Sequence, residues 1–218
     1  RKDMDMAFTL HAGNPPLDPR LAQVLEYWLG AEQPTDATAL ARKQLWFSKD
    51  EAVDEEIRHR FGAVMQEALS GRLNGDAATP LGRLAVIIVL DQFMRNAHRG
   101  TPKSFAGDPL ALQLALEGIA QGHDTDDSIP PVARIFFYLP LEHAEDLAMQ
   151  QHSVVAFEQL AQEAGPATRD FFGVTADYAH RHRDVIERFG RFPHRNPILG
   201  RASTAEEKVY LAQPGAGF

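Results

Sequence analysis

The sequence predicts an all-α fold, because helix-start signals recur along the chain, apolar residues recur at helical spacing, and no segment has a convincing strand pattern. A capping side chain directly before a proline marks three helix starts: Asp18-Pro19, Thr79-Pro80 and Asp108-Pro109. The β-branched run 86–89 lies inside one of these capped segments. We therefore expect about eight helices in antiparallel pairs, joined by short connections.

The first helices are predicted at residues 21–29 and 37–45, and a glycine closes the first of them. A third begins at Asp50 and ends at Gly71, with apolar residues at helical spacing between them. Residues 81–98 follow, and the middle of this segment is apolar nearly all round. That pattern is typical of a helix at the centre of a core.

The second half of the chain continues the helical pattern to its end. Helices are predicted at residues 110–121, 132–139, 141–163, 166–189 and 204–211. Pro140 should end or kink its helix because it has no N–H to donate. Thr204 and Glu207 form the sequence pattern of a capping box. We expect one domain, residues 18–218, preceded by an irregular arm, residues 1–17.

The composition is that of an ordinary globular protein, with 44% hydrophobic and 24% charged residues among 218. No apolar run is long enough to cross a bilayer. The lack of cysteine excludes disulfides, thiol catalysis and thiolate metal sites. We expect a soluble, cytoplasmic protein without a membrane partner. The net charge of −8 argues against nucleic acid as a partner.

Three stretches carry polar residues that helix packing does not require: residues 90–100, 136–146 and 188–201. In order and spacing they closely resemble a bacterial family catalogued as domain of unknown function 924, and residues 25–30, 45–47 and 203–207 fit too. The resemblance implies a right-handed helical array similar to tetratricopeptide-repeat proteins, and it implies no activity. Ala144 stands where the family pattern has serine, which argues against serine chemistry there.

In the first stretch, Asp91 follows an apolar run and needs a partner if it is buried. Arg95 lies four residues on, on the same helical face, and is the obvious candidate. Gln92, Asn96 and Arg99 extend this polar end. The stretch forms either an internal ion pair that closes the helix or the floor of a pocket for an anionic ligand.

In the second stretch, His143, Asp146 and Gln150 should share one face of a helix, beside Glu145. A histidine and a carboxylate so placed can act as a general base or supply two metal ligands. The matching metal ligands on other helices are missing, so we expect no metal and no cofactor. A polar face that hydrogen-bonds to the Arg-rich stretch is the simpler alternative.

In the third stretch, glycines and prolines predict a loop rich in cationic and polar side chains. Its candidate binding residues are Arg188, Arg191, His194, Arg195, Asn196 and Arg201. Guanidinium groups bind carboxylates and phosphates through paired hydrogen bonds and stack on aromatic rings. The arginines either tie Asp91, Glu145 and Asp146 into one interior network or leave donors facing a cleft.

Three functions remain open from the sequence. The first is a binding or scaffolding protein whose polar pocket takes an anionic ligand or peptide. The second is a small-molecule enzyme in which His143 and Glu145 move a proton while Arg95, Arg191 and Arg195 hold an anion. RNA contact through the Arg/Phe loop is the third, and the acidic charge disfavours it. Neither catalysis nor the oligomeric state follows from these patterns.

Overall fold

The computed structural model describes residues 16–218, and this part of the chain forms eleven helices and no strand. The bounds are α1 Pro19–Leu29, α2 Asp36–Leu40, α3 Lys43–Phe47, α4 Glu51–Leu69, α5 Pro80–Ile87, α6 Asp108–Ala120, α7 Pro131–Glu142, α8 Leu147–Glu163, α9 Arg169–Phe189, α10 Asn196–Leu199 and α11 Ala205–Leu211. Helix α5 continues through a π-helical segment, Ile88–Phe93, into a last α-helical turn, Met94–Ala97. The all-α class is confirmed. Of the predicted arm 1–17, only the last two residues lie within the described range.

The number of helices exceeds the expected eight, partly because the segment predicted at 37–45 forms two short helices. Arg42, between them, donates from Nε to the Tyr27 carbonyl at 2.9 Å, and Trp46 donates from Nε1 to the Trp28 carbonyl at 2.9 Å. These carbonyls belong to the last turn of α1, where a helix leaves acceptors unpaired. The contact between α1 and α3 therefore depends on tertiary structure and not on local spacing.

The core is built around α5, as its apolar middle predicts. Residues 84–90 are completely buried, and α5 packs against α1, α4, α6 and α7. Aromatic rings pack beside it in the core. The ring centroids of Phe93 and Trp28 are 5.4 Å apart, and those of Trp28 and Phe136 are 6.2 Å apart. In the other half of the molecule, α7 packs on α8 and α8 on α9.

Several predicted capping residues occupy their expected positions, and one does not. Asp18 accepts from the backbone N–H of Arg20, and Thr204 and Glu207 form the capping box. Asp108 instead lies inside the first turn of α6, and Gly107 is the residue before the helix. Its carboxylate is directed to Arg95, which makes a stronger charge-assisted contact than a capping bond.

The prediction of a helix that ends at 139 is wrong, because α7 continues through Pro140 to Glu142. One proline removes only one backbone donor. The helix ends two residues later, at Glu142, and the Gln150 amide donates to the carbonyls of Glu142 and Ala144 at 2.6 and 2.8 Å. Asp146 then caps α8 by accepting from the Met149 N–H. His143 and Asp146 consequently lie in a connection and not on one helix face.

No helix in residues 16–218 combines the length and the apolar character needed to span a bilayer.

Candidate functional site

The π-helical segment of α5 carries Asp91, the most buried carboxylate of the polar network. Its side chain is 1% exposed and accepts hydrogen bonds from Gln92 Nε2 at 2.7 Å and Arg95 Nη1 at 3.2 Å. Burial would raise the pKa of Asp91, but His143 and Arg95 outweigh it and hold the pKa below its usual range. The carboxylate is therefore ionised at neutral pH. Wide helical turns of this kind occur often at functional sites.

His143 lies against this carboxylate, with Nδ1 2.7 Å from Asp91 Oδ1. Because an ionised carboxylate only accepts, Nδ1 carries the proton of the neutral ring. Burial and the charge of Arg95 lower the pKa of His143, although Asp91 opposes them. The side chain is 15% exposed, and Nε2 has no hydrogen-bond partner among the described residues. Asp91 thus orients an imidazole whose second nitrogen is available.

The loop before α6 approaches the π-helical segment closely at Gly107. A Cβ added there would lie 2.2 Å from the Leu90 carbonyl oxygen, so only glycine fits this contact. The approach brings Asp108 to Arg95, where the two groups form paired hydrogen bonds of 2.7 and 2.9 Å. Arg95 also donates to the Asp91 carbonyl at 2.8 Å. Both terminal nitrogens of its guanidinium are therefore hydrogen-bonded.

Arg195 lies in the 3₁₀ turn Pro193–Arg195 and is only partly paired. Nη2 donates to the His143 carbonyl at 2.9 Å, and Nη1 is 3.9 Å from Asp108 Oδ2. The guanidinium carbon lies 4.6 Å from the ring centroids of both Phe105 and Phe192. Nε is buried and has no partner within residues 16–218. Burial, with the charge of Arg95, lowers the pKa of Arg195 to about 10.

The neighbouring His194 also has an unpartnered nitrogen in the part of the chain that the structure describes. Nδ1 is buried without a hydrogen bond. Burial and the charge of Arg195 lower the pKa of His194 to about 4, so the ring is neutral at pH 7. Two adjacent residues of the Arg-rich stretch therefore have unused polar atoms.

Glu145 ties the same stretch to the end of α7. It accepts paired hydrogen bonds from Arg201 at 2.8 and 2.9 Å and a third from the backbone N–H of Phe192 at 2.8 Å. Burial would raise the pKa of Glu145, but the Arg201 hydrogen bonds outweigh it and the pKa is lowered. The predicted acid–base pair needs a correction in one member: the carboxylate on the His143 ring is Asp91, and Glu145 binds Arg201.

Asn96 and Arg99 belong to a separate network. Asn96 Nδ2 donates to Asp54 at 2.8 Å, and Arg99 binds the same carboxylate through Nε at 2.6 Å and Nη2 at 2.9 Å. Asp54 lies in α4 and is 6% exposed. This network fastens the end of α5 to α4 and has no described contact with His143.

The remaining candidates have structural contacts around the loop. Arg191 binds Glu207 at 2.7 and 2.9 Å, and the Glu207 side chain is 3% exposed. Arg188 forms an exposed pair with Glu206, and Asn196 accepts from Arg201 Nε at 2.9 Å. Asp146 and Gln150 shape the connection between α7 and α8, as described above. Arg191 therefore lies outside the group that surrounds His143.

The structure thus brings four predicted residues into one cluster, hereafter the Asp91 cluster: Asp91, Arg95, His143 and Arg195, with Gln92 at its edge. Two further members come from residues that sequence reasoning did not select. Asp108 was interpreted as a helix cap, and Phe105 had no polar signal at all. Only the position of Asp108 after the Arg95 stretch hinted at a contact between them.

Metal ligation finds no support in the described residues, where no group of three or more histidines and acids is placed to hold an ion. Two surface depressions lie away from the Asp91 cluster. One of about 560 Å³ is lined by residues including Tyr27, Arg42 and Arg60, and one of about 90 Å³ lies beside Asp36 and Phe172.

Comparison with known proteins agrees with the motifs of the three stretches. The sequence profile of the family described as "Bacterial protein of unknown function (DUF924)" matches residues 24–215. The chain belongs to this family. The DUF924 match contains every residue of the Asp91 cluster. No curated protein matches the chain.

A solved structure supports the same assignment to the DUF924 family. It is a protein of unknown function from Agrobacterium tumefaciens, 38% identical, with a TM-score of 0.74 over 88% of this chain and 96% of that chain. The similarity extends to the fold and carries no information on activity.

Proposed function

We propose that this protein binds a small oxyanion, a carboxylate or a phosphate group, at the Asp91 cluster. The observation that carries the proposal is Arg195, an almost buried guanidinium whose Nε has no partner among the described residues. Buried donors in folded proteins are nearly always hydrogen-bonded, and an unused one is costly. An oxyanion on Nε completes the guanidinium, with His143 close by as a second contact.

A purely structural network is the main alternative, and it accounts for Arg95 better than for Arg195. Arg95 has paired hydrogen bonds to Asp108 and two further contacts to Asp91. Arg195 has one carbonyl contact and an acid 3.9 Å away. The two arginines of one interior network therefore differ in a way that structural pairing alone does not explain.

Charge balance indicates how an anion is accommodated. Asp91 and Asp108 balance Arg95 and Arg195, while the lowered pKa of His143 keeps its ring neutral. An added anion brings one negative charge, and protonation of His143 compensates it. The site thus favours ligands that bind together with a proton.

Thermal shift with inorganic phosphate and with acetate, each at constant ionic strength, tests the proposal. A ligand at about 100 times its Kd stabilises the folded state by about 2.7 kcal/mol, which is readily measured. We expect saturable stabilisation of the wild type and none of Arg195→Lys, which keeps the charge but loses the Nε donor. Arg188→Lys is the matched control, since Arg188 is an exposed arginine of the same stretch. Equal stabilisation of Arg195→Lys and the wild type contradicts the proposal.

A second function, general-base catalysis, is favoured by the Asp91–His143 pair. An ionised, buried carboxylate that orients an imidazole is the arrangement used by acid–base enzymes. Conversion of a bound ligand by the wild type but not by His143→Gln, with binding retained, would support it. Binding of the ligand by the wild type without conversion would indicate a binding protein and not an enzyme.

The finer features of the fold and location also remain proposals. Packing between helices that follow each other in the chain, α7 on α8 and α8 on α9, supports a tetratricopeptide-like array. The lack of cysteine supports a cytoplasmic location. A peptide scaffold would use such an array, and peptides ending in a carboxylate fit the proposed oxyanion site.

A further inference from the structure

The ring of Phe218 lies in a slot made of side chains from α9 and the Arg-rich stretch. It stacks on His182 with centroids 3.6 Å apart and an interplanar angle of 18°. The rings of Phe192 and His194 stand edge-on to it, with centroids 6.2 and 5.8 Å away. The Arg181 guanidinium lies 5.6 Å from its centre. A planar ring is thus contacted from several directions.

One wall of this slot, His182, is held by polar contacts that do not involve Phe218. His182 Nδ1 is 2.7 Å from the Tyr178 carbonyl and 3.0 Å from Glu142 Oε1, and the side chains of His182 and Glu142 are 8% and 4% exposed. Phe192 is completely buried. The position of the His182 ring therefore does not depend on the Phe218 contact alone.

Phe218 itself is held loosely by comparison with these walls. Its side chain lies at the surface and the residue is 38% exposed. The segment before it contains Gly215 and Gly217 at φ values of 76° and 88°, a conformation open to glycine. The backbone N–H groups of Gly217 and Ala216 donate hydrogen bonds to the Tyr210 hydroxyl at 3.4 Å and to the Gln213 carbonyl in a local turn. A segment with so few hydrogen bonds can open at a low cost in free energy.

The slot and the oxyanion site share one wall. Phe192 forms a wall of the slot and stacks with the Arg195 guanidinium at 4.6 Å. His194, whose Nδ1 is buried and unpartnered in the described chain, is adjacent to Arg195 in sequence and borders the Phe218 ring. A ligand with a ring in the slot would thus have its acidic group on the Arg195 side.

We propose that the slot formed by His182, Phe192 and His194 binds the planar aromatic ring of an anionic ligand, and that Phe218 competes with that ring for the slot. This inference rests on the proposed oxyanion site and names its ligand class: aromatic carboxylates or phosphates. Phe218 acts as an internal competitor that lowers the apparent affinity for such ligands. Ligands without a ring do not meet this competition.

Calorimetric titration of matched probes tests the inference: acetate against phenylacetate and inorganic phosphate against phenyl phosphate. Phe218→Ala should raise the affinity for the phenyl probes by about tenfold, since an open slot lets the ring bury its apolar surface. The affinity for acetate and for phosphate should not change. The control is Phe47→Ala, which removes an exposed ring far from the slot in sequence and outside its contacts. Phe47→Ala should change neither the affinity for the phenyl probes nor that for acetate and phosphate.

The outcomes separate this inference from the proposed function. Equal affinity of the wild type and Phe218→Ala for the phenyl probes overturns the slot, even where acetate or phosphate binds at Arg195. Conversely, binding of the neutral ring compound benzyl alcohol by Phe218→Ala, with no binding of either small ion, supports the slot and refutes the oxyanion site.

Discussion

His143 Nδ1 lies 2.7 Å from Asp91 Oδ1, and this contact joins two residues that are 52 positions apart in the chain. It connects the π-helical segment of the central helix to the connection between α7 and α8. Because the Asp91 carboxylate is buried and ionised, it fixes both the orientation and the tautomer of the imidazole. The chemistry of the cluster therefore depends on this one carboxylate.

Asp91→Asn should destabilise the fold substantially. The substitution leaves Arg95 and His143 without the charge they face, and removing one partner of a buried pair costs about 3 kcal/mol. The free energy of unfolding from urea denaturation measures the effect. Asp184→Asn, in the surface pair with Arg183, serves as the control and should cost less than about 0.5 kcal/mol. Similar losses in both variants would show that Asp91 is not the centre of a network.

Gly107→Ala should also destabilise, for a steric reason. The new Cβ would overlap the Leu90 carbonyl oxygen, and relief requires the loop to leave the π-helical segment. Overpacking of this kind costs about 1–3 kcal/mol. Gly173→Ala is the matched control: its Cβ meets no atom within 4 Å inside α9, and alanine there should stabilise by about 0.5–1 kcal/mol. A tolerated Gly107→Ala would refute the close approach.

The stability of the protein should fall as the pH is lowered from about 6.5 towards 4. The pKa of His194 is lowered to about 4, so the unfolded chain binds the proton first, below its ordinary value of about 6.5. The stabilisation that depends on a neutral His194 is complete above about pH 6.5. It is lost as the pH falls from about 6.5 towards 4, by about 1 kcal/mol after allowance for partial exposure. Urea denaturation at pH 7 and pH 5 measures it, and His194→Gln should lose less. Identical losses would contradict the lowered pKa.

Local features of this fold were predictable because they depend on contacts between residues that are close in sequence. The caps at Asp18 and Thr204 and the Asp91–Arg95 contact involve residues two to four positions apart, where helical geometry decides which groups meet. The burial of α5 followed from its composition. These parts of the prediction needed no knowledge of how helices pack.

The composition of the Asp91 cluster was only partly predictable, because its other contacts are tertiary. Helical spacing placed His143 and Asp146 on one face with Glu145 beside it, but the helix ends before His143 and Glu145 binds Arg201. The sequence predicted Asp108 as a cap, but the close packing of Gly107 on Leu90 places it beside Arg95. The role of Phe218 had no sequence signal, since stacking on His182 depends on where the chain returns.

Anion binding should be accompanied by proton uptake at His143. Burial lowers the pKa of this ring, and a bound anion beside it raises the pKa again, so the affinity should increase as the pH falls. Titration calorimetry with acetate at pH 6, in two buffers of different ionisation enthalpy, detects the uptake. The wild type should show a buffer-dependent enthalpy, and His143→Gln should not. A buffer-independent enthalpy in the wild type would remove His143 from the site.

The binding of an anion at Arg195 Nε can be tested most directly by NMR. Its N–H resonance in a ¹H–¹⁵N NMR spectrum, assigned by comparison with Arg195→Lys, can be followed during titration with acetate and with inorganic phosphate. We predict a saturable shift of this resonance at concentrations that leave the exposed Arg188 signal unchanged. An Arg195 signal that stays fixed, or one that moves only in step with Arg188, would contradict an oxyanion site at the Asp91 cluster.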